Sequence, residues 1–129
     1  MVLRIEVTTM YTIKEVAEIV EENEHTIRYY AKLGLFPKIG RDKYNSRVFS
    51  DDDLDDVRFV IMLADTGMSL EDIKYFMSLS VRSGEEAVNE QYAILKEHQN
   101  KARSTLVKLQ KEIQLLEWKI YQFQERTRK

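Results

Sequence analysis

The stretch HTIRYYAKLGLFP, residues 25–37, decides how the rest of this chain is interpreted. It predicts a short helix that ends at Gly34 and is stopped by Pro37, because glycine favours the position after a helix and proline cannot continue one. One face of the predicted helix is apolar and suits docking on a core: Ile27, Tyr30 and Leu33. The other face carries side chains that reach phosphates and base edges: His25, Arg28, Tyr29 and Lys32. Such a helix suits a reader of the DNA major groove, although an ordinary amphipathic surface helix has the same periodicity.

A second helix is predicted just upstream. Thr12 and Glu15 have the spacing of a capping box, in which each side chain accepts a backbone N–H at the helix start. Its apolar face comprises Val16, Ile19 and Val20. After a turn at Glu21 and Glu22, Asn23 is a favourable N-cap for the next helix. Two short helices around a tight turn, the second one basic, indicate a helix-turn-helix.

The segment downstream, residues 38–49, predicts a basic hairpin, or wing. Asn45 tolerates a left-handed backbone and can turn the chain between two short arms. The chain as a whole has a net charge of −2. Between residues 28 and 47, however, Asp42 is the single acidic residue, against six basic residues: Arg28, Lys32, Lys38, Arg41, Lys43 and Arg47. A solvated charged loop is the alternative, but the position directly after the helix favours a DNA contact.

At this point a family resemblance emerges. Residues 11–80 resemble the DNA-binding domain of the MerR family of bacterial transcription regulators. The matching pieces are YTIKEVA at 11–17, TIRYY at 26–30, GLFP at 34–37, RVFSDDDL at 47–54 and TGMSLEDI at 66–73. These motifs follow the order and the approximate spacing of the family.

The resemblance implies a homodimer that binds a pseudo-palindromic operator between promoter elements with an over-long spacer. The dimer is expected to bend and untwist this DNA so that RNA polymerase engages both elements. The residues expected to contact DNA are Lys14, His25, Thr26, Arg28, Tyr29, Lys32, Arg41, Lys43, Tyr44 and Arg47. The alternative is a non-enzymatic protein-interaction adaptor with a degenerate DNA-binding head, which Glu21, Glu22 and Glu24 favour because they place negative charge where DNA would approach.

Composition excludes several other classes. The length suffices for one small domain with an appendage. The sequence has no cysteine, no apolar run long enough to cross a bilayer and no signal peptide, so we expect a cytoplasmic protein without disulfides. The two histidines, His25 and His98, lack the spacing of metal ligands. With no nucleophile–base pair or phosphate loop, we expect neither an enzyme nor a cofactor.

Two further helices complete the predicted head. Ser50 and Asp53 form a second capping box, and Gly67 stops the helix that they begin. Ser69 and Asp72 start the fourth helix. The acidic run at residues 51–56 is explained by a helix N-terminus, which favours carboxylates. The predicted core comprises Val16, Ile19, Ile27, Leu33, Leu35, Val48, Phe49, Leu54, Val57, Ile61, Leu70, Ile73 and Phe76.

From Glu85 to Arg128 the sequence contains no Gly and no Pro and shows a heptad repeat. One row comprises Val88, Leu95, Ala102, Leu109, Leu116 and Phe123; its companion comprises Tyr92, Gln99, Leu106, Ile113 and Ile120. The two rows predict a coiled-coil seam between two copies of the chain, and a helix folded back on its own domain is the less favoured alternative. The seam residues expected to be buried are Leu95, Ala102, Leu106, Leu109, Ile113, Leu116, Ile120 and Phe123.

The predicted fold is therefore all-α with a small β-hairpin: a winged helix-turn-helix at residues 11–80 and a long dimerisation helix at 85–128, antiparallel to its partner by the family resemblance. Residues 1–10 form an N-terminal extension, either a short strand or a loose tail. A strip lies off the seam near the end of the helix: Leu115, Trp118 and Tyr121. By resemblance it contacts the partner's head, or it walls an effector pocket. Where thiol-responsive members carry a reactive cysteine, this chain has Met62.

Overall fold

The computed structural model describes residues 9–128 of the chain. Its elements in order are α1 (Ile13–Val20), α2 (Glu24–Leu33), β1 (Gly40–Arg41), β2 (Arg47–Val48), α3 (Asp51–Asp65), α4 (Leu70–Leu79) and α5 (Glu85–Thr127). The predicted mainly helical fold with one hairpin and a long terminal helix is confirmed. The strand or tail predicted for residues 1–10 falls, apart from the exposed residues 9 and 10, outside the described residues.

The helix starts follow the predicted caps. In both capping boxes the two reciprocal hydrogen bonds are present: Glu15 N–H to Thr12 Oγ1 at 3.2 Å with Thr12 N–H to Glu15 Oε1 at 3.1 Å, and the matching pair between Ser50 and Asp53. The N-cap of α2 is Asn23, whose side-chain oxygen accepts the His25 N–H at 2.7 Å. Local hydrogen bonding therefore fixes where α1, α2 and α3 begin.

Three of the helices end in the same way. A left-handed residue follows each of them, Glu21 at φ 56°, Gly34 at φ 85° and Gly67 at φ 95°. In each case the next residue donates its N–H to a carbonyl five positions back, at 3.0 to 3.1 Å. This pattern is a Schellman motif, which usually has glycine at the left-handed position. Glu21 takes that position in α1.

The core lies between α1, α2, α3 and α4, with the hairpin at one edge. Several predicted core residues are buried: Val16, Ile27, Leu35, Phe49, Leu54, Val57, Ile73 and Phe76. Four others are half-buried: Leu33, Val48, Ile61 and Leu70. Met77, which the sequence predicts to point inward on the fourth helix, is buried as well. Other buried residues were absent from the predicted core: Ile13, Ala17, Phe36, Val60, Leu63, Leu79 and Ala87.

The prediction that Ile19 belongs to the core is wrong, because 41% of it is exposed. The buried side of α1 runs through Ile13, Val16 and Ala17, and Ile19 lies at the edge of that stripe. Ile19 instead lines a shallow groove with Ile61 and Met62. We call this feature the α1–α3 groove.

The chain divides into two compact units, the first ending at Gln91 and the second beginning at Tyr92. The first turns of α5 belong to the first unit, where Ala87 is buried, Gln91 Nε2 donates to the Phe76 carbonyl at 3.3 Å, and the Tyr75 hydroxyl donates to Glu90. The second unit is the remainder of α5. Among the described residues, no helix is long and apolar enough to span a membrane.

Candidate nucleic-acid interface

Helix α2 packs on the core with one side and exposes the other. Ile27 is fully buried, and burial raises the pKa of the half-buried Tyr30 above its ordinary value. On the opposite side His25, Arg28 and Lys32 are exposed, as is Tyr29, while Thr26 is half-buried. The predicted division of α2 into a docking face and a free cationic face is therefore present.

The hairpin is shaped by an acid that the sequence reasoning had treated only as an isolated charge. Asp42 Oδ1 accepts the backbone N–H groups of Tyr44 and Ser46 at 2.8 and 3.0 Å. Asn45 is left-handed at φ 62°, as predicted, and its carbonyl accepts a hydrogen bond from Arg41 at 2.8 Å. Asp42 is thus a turn residue, and the preference of aspartate for such turns was the signal that could have revealed it.

The hairpin is tied to the start of α1. Strands β1 and β2 pair antiparallel, with Arg41 opposite Arg47. Tyr11 and Phe49 exchange backbone hydrogen bonds at 2.7 and 2.8 Å. The Tyr11 hydroxyl also donates to Asp51 at 2.8 Å, and this bond raises the pKa of Tyr11 above its ordinary value. These bonds hold the hairpin beside the N-terminal ends of α1 and α3.

A cavity of about 390 Å³, which we call the head cleft, opens between α1, α2 and the hairpin. It is lined by Thr12, Ile13, Lys14, Glu24, Arg28, Arg41, Asp42, Asn45, Ser46 and Arg47. Of the predicted DNA contacts it brings together Lys14, Arg28, Arg41 and Arg47. Its lining therefore holds four basic and two acidic side chains, in a protein that is acidic overall.

The other predicted contacts lie outside the cleft lining. His25 lines a smaller hollow with Glu24 and Arg28. At the hairpin tip, the Lys43 ammonium lies 5.1 Å from the centre of the Tyr44 ring, and 77% of Tyr44 is exposed. This pair presents a cationic and aromatic surface beyond the cleft.

Glu24 is an unexpected member of the head cleft. Its Oε1 lies 2.7 Å from Arg28 Nη2, and roughly half of each side chain remains exposed. The spacing of four residues on one helix was the sequence signal for this pair. From the sequence alone, Glu24 is expected to favour the helix dipole and to weaken DNA binding.

The second unit shows the predicted rows on its surface. The large seam residues are exposed in the single chain, apart from the half-buried Leu95: Leu106, Leu109, Ile113, Leu116, Ile120 and Phe123. Ala102 is exposed as well. Beside them, Trp118 and Tyr121 stack with their ring centres 6.2 Å apart. Leu115, next in the strip, is also exposed. Within residues 9–128 no cluster of side chains could hold a metal ion.

Comparison with known proteins identifies the family. A profile described as MerR HTH family regulatory protein matches residues 11–79, more than half of the chain. The chain belongs to the MerR family. An uncharacterized HTH-type transcriptional regulator of Haemophilus influenzae is 33% identical over 114 residues, covering 88% of this chain and 84% of that protein. The transcriptional regulator ZntR of Escherichia coli K12 is 28% identical over 101 residues, covering 78% of this chain and 72% of ZntR.

Solved MerR structures share the fold. HiNmlR, a MerR family regulator that lacks the sensor domain and whose crystal structure is bound to promoter DNA, superimposes with a TM-score of 0.83 at 32% identity. That match covers 91% of this chain and 92% of HiNmlR. A MerR family regulator from Bacillus thuringiensis matches with a TM-score of 0.81 at 27% identity, over 88% of this chain and 99% of the other. This chain is therefore a transcriptional regulator of the MerR type.

Proposed function

We propose that this MerR regulator works as a homodimer that reads a pseudo-palindromic operator through α2 and the hairpin of each head. The observation that carries the proposal is the head cleft, which gathers Lys14, Arg28, Arg41 and Arg47 around the recognition helix. Basic side chains on a recognition helix and an adjoining hairpin supply the phosphate and base contacts that DNA binding needs. The promoter DNA bound by HiNmlR supports the same role here.

Dimerisation is supported by the surface of α5. The helix has 43 residues and a length of roughly 65 Å at 1.5 Å per residue. Beyond Gln91 its apolar rows have no partner within the described chain, so a second copy is the simplest cover for them. By the family resemblance the two helices run antiparallel.

The strip formed by Leu115, Trp118 and Tyr121 has a complementary surface in the α1–α3 groove. Ile19 and Met62 are both about two-fifths exposed there. We propose that the strip of one protomer packs on the groove of the partner's head. We expect either a non-covalent apolar effector at the same junction, near Trp118 and Tyr121, or no small inducer. Met62 lacks a thiol and cannot form a thiolate, so covalent thiol sensing is not expected.

The dimer is proposed to distort the DNA between promoter elements so that RNA polymerase can engage both. Bending and untwisting cost on the order of 1–6 kcal/mol, which the phosphate contacts must supply. Family membership does not favour the adaptor alternative. A regulator that acts by binding promoter DNA works in the cytoplasm and needs no catalytic activity for this role.

The test is a salt-dependent mobility-shift titration with operator DNA selected by the protein from a random duplex pool. Arg47→Ala should weaken operator binding by about 1–3 kcal/mol with an unchanged melting temperature. Lys101→Ala, on the exposed surface of α5, removes the same charge far along the chain from the head and should leave binding unchanged. A wild-type dimer that selects no sequence would refute the proposed function.

A further inference from the structure

We propose that Glu24 and Arg28 form a single reading element that recognises a G·C base pair, with Glu24 as a specificity-determining residue. The inference rests on the proposed function and deepens it. Glu24 is the first residue of α2 and Arg28 lies one turn later, on the side that faces the head cleft. Recognition helices place their N-terminal residues at base edges. The pair therefore occupies the part of the helix that enters the groove.

The ion pair changes what Arg28 can bind. With a carboxylate oxygen 2.7 Å from Nη2, Arg28 already has a charged partner. A phosphate at the same nitrogen would bring its own negative charge beside Glu24, and like charges at such distances repel. A base edge carries no net charge and adds no such repulsion. Glu24 thus directs Arg28 away from the DNA backbone and toward the bases.

The two side chains match the two halves of one base pair. In the major groove guanine offers the acceptors O6 and N7, which suit an arginine, and cytosine offers an amino donor, which suits a carboxylate. Arg28 keeps further N–H donors when Nη2 contacts Glu24, because a guanidinium carries five. Glu24 keeps acceptor capacity, because an ionised carboxylate has two oxygens. About half of each side chain is exposed, so both can reach the edge of a base pair.

The second acid of the cleft does not compete for this role. Asp42 accepts two backbone N–H groups within the hairpin, which holds its carboxylate at the turn and off α2. Arg41 also lies on the hairpin, where it donates to the Asn45 carbonyl at 2.8 Å. Among the charged residues lining the cleft, the Glu24–Arg28 pair is the one placed on the recognition helix itself.

The experiment compares wild type with Glu24→Gln and Arg28→Ala in selection from a random duplex DNA pool, followed by titrations on the selected operator and on a scrambled duplex. Glu97→Gln is the matched control, because Glu97 forms an exposed pair with Lys101 at the same spacing on α5 and loses the same charge. The helix cap is made by Asn23, so Glu24→Gln leaves it intact, and thermal melting verifies the fold.

Three results are expected together. Wild type selects a G·C pair at one half-site position, and both α2 variants lose about tenfold in discrimination at that same position. On the scrambled duplex, Glu24→Gln binds more tightly than wild type, and its slope of log K against log salt becomes more negative by about 0.9, the value for one added phosphate contact. Glu97→Gln behaves as wild type.

Unchanged base preference and salt slope in Glu24→Gln, with a wild-type protein that does select an operator, would overturn the inference and leave the proposed function standing. Loss of discrimination at different positions in the two variants would overturn the shared reading element. A wild type without any preferred sequence would overturn both.

Discussion

At the scale of single residues, Ser50 and Thr12 make the same capping interaction in different surroundings. Thr12 and Glu15 are exposed, whereas the hydrogen bonds between Ser50 and Asp53 are partly buried and only 7% of Asp53 is exposed. Water can replace a lost cap at the first site but reaches the second poorly. An unsatisfied buried N–H costs the full desolvation penalty.

We therefore expect Ser50→Ala to lower the free energy of unfolding by about 1–2 kcal/mol and Thr12→Ala by about 1 kcal/mol or less. Urea denaturation followed by circular dichroism measures both. The Thr12 variant is the control with an exposed cap. Equal losses of unfolding free energy in the two variants would show that burial of the cap does not affect its contribution to stability.

At the scale of secondary-structure elements, the shared ending of α1, α2 and α3 gives a second prediction. A left-handed backbone costs a residue with a side chain roughly 1–2 kcal/mol. A new glycine removes that strain, but its greater entropy in the unfolded state lowers stability by about 0.4–1 kcal/mol. Glu21→Gly should therefore raise the free energy of unfolding by up to about 1 kcal/mol, as measured by denaturant titration.

Gly34→Ala is the reverse experiment at the end of α2. A Cβ there would meet Lys74 Cε at 3.5 Å, an ordinary contact, so the cost comes from the backbone at φ 85°. The lower unfolded-state entropy of alanine offsets part of the backbone strain, so we expect the free energy of unfolding to fall by up to about 1 kcal/mol. A stabilising Gly34→Ala, or a destabilising Glu21→Gly, would contradict the view that these endings are strained for side chains.

The contact between α4 and α5 predicts a pH dependence. The hydrogen bond to Glu90 raises the pKa of Tyr75 above its ordinary value of 10.0. A group whose pKa is raised in the folded state contributes stability below its unfolded pKa and loses it as the pH rises through the folded one. The difference in melting temperature between wild type and Tyr75→Phe should therefore be constant from pH 7 to 9 and shrink above pH 10. A difference that grows above pH 10 would contradict the assignment.

The sequence predicted the elements better than their contacts. Caps and left-handed residues are local signals, so Thr12, Asn23, Ser50 and Gly34 marked helix ends correctly. Ile19 was misplaced because the edge of an apolar stripe and its centre have the same composition, and only packing against α3 distinguishes them. The Glu24–Arg28 pair was missed because the rotamers that join two exposed side chains are not specified by spacing alone.

At the scale of the whole molecule, dimerisation is tested by two single variants in α5, Leu109→Lys and Val107→Lys. Leu109 and Val107 are equally exposed in the single chain, at 49% and 50%, but only Leu109 lies in a heptad row. Leu109→Lys should bury a charge in the seam, yield monomers and abolish operator binding. Val107→Lys should remain dimeric and bind DNA. Sedimentation velocity at micromolar concentration and mobility-shift titration report both properties.

A monomeric wild type, or a dimeric Leu109→Lys variant that still binds DNA, would refute the prediction that the heptad rows of α5 form the dimer interface. We expect Gln99 and Ala102, polar or small, to form its weak layer and to set the register at some expense of stability.

The exposed rows of α5 also determine how the regulator responds to its own abundance. If two chains must meet before either apolar surface is covered, the dimer concentration rises as the square of the free monomer concentration, so doubling dilute protein gives about four times as much dimer. Promoter occupancy then depends steeply on synthesis and degradation of the chain. A cell could switch such a promoter by gene dosage or proteolysis alone, with no small molecule involved.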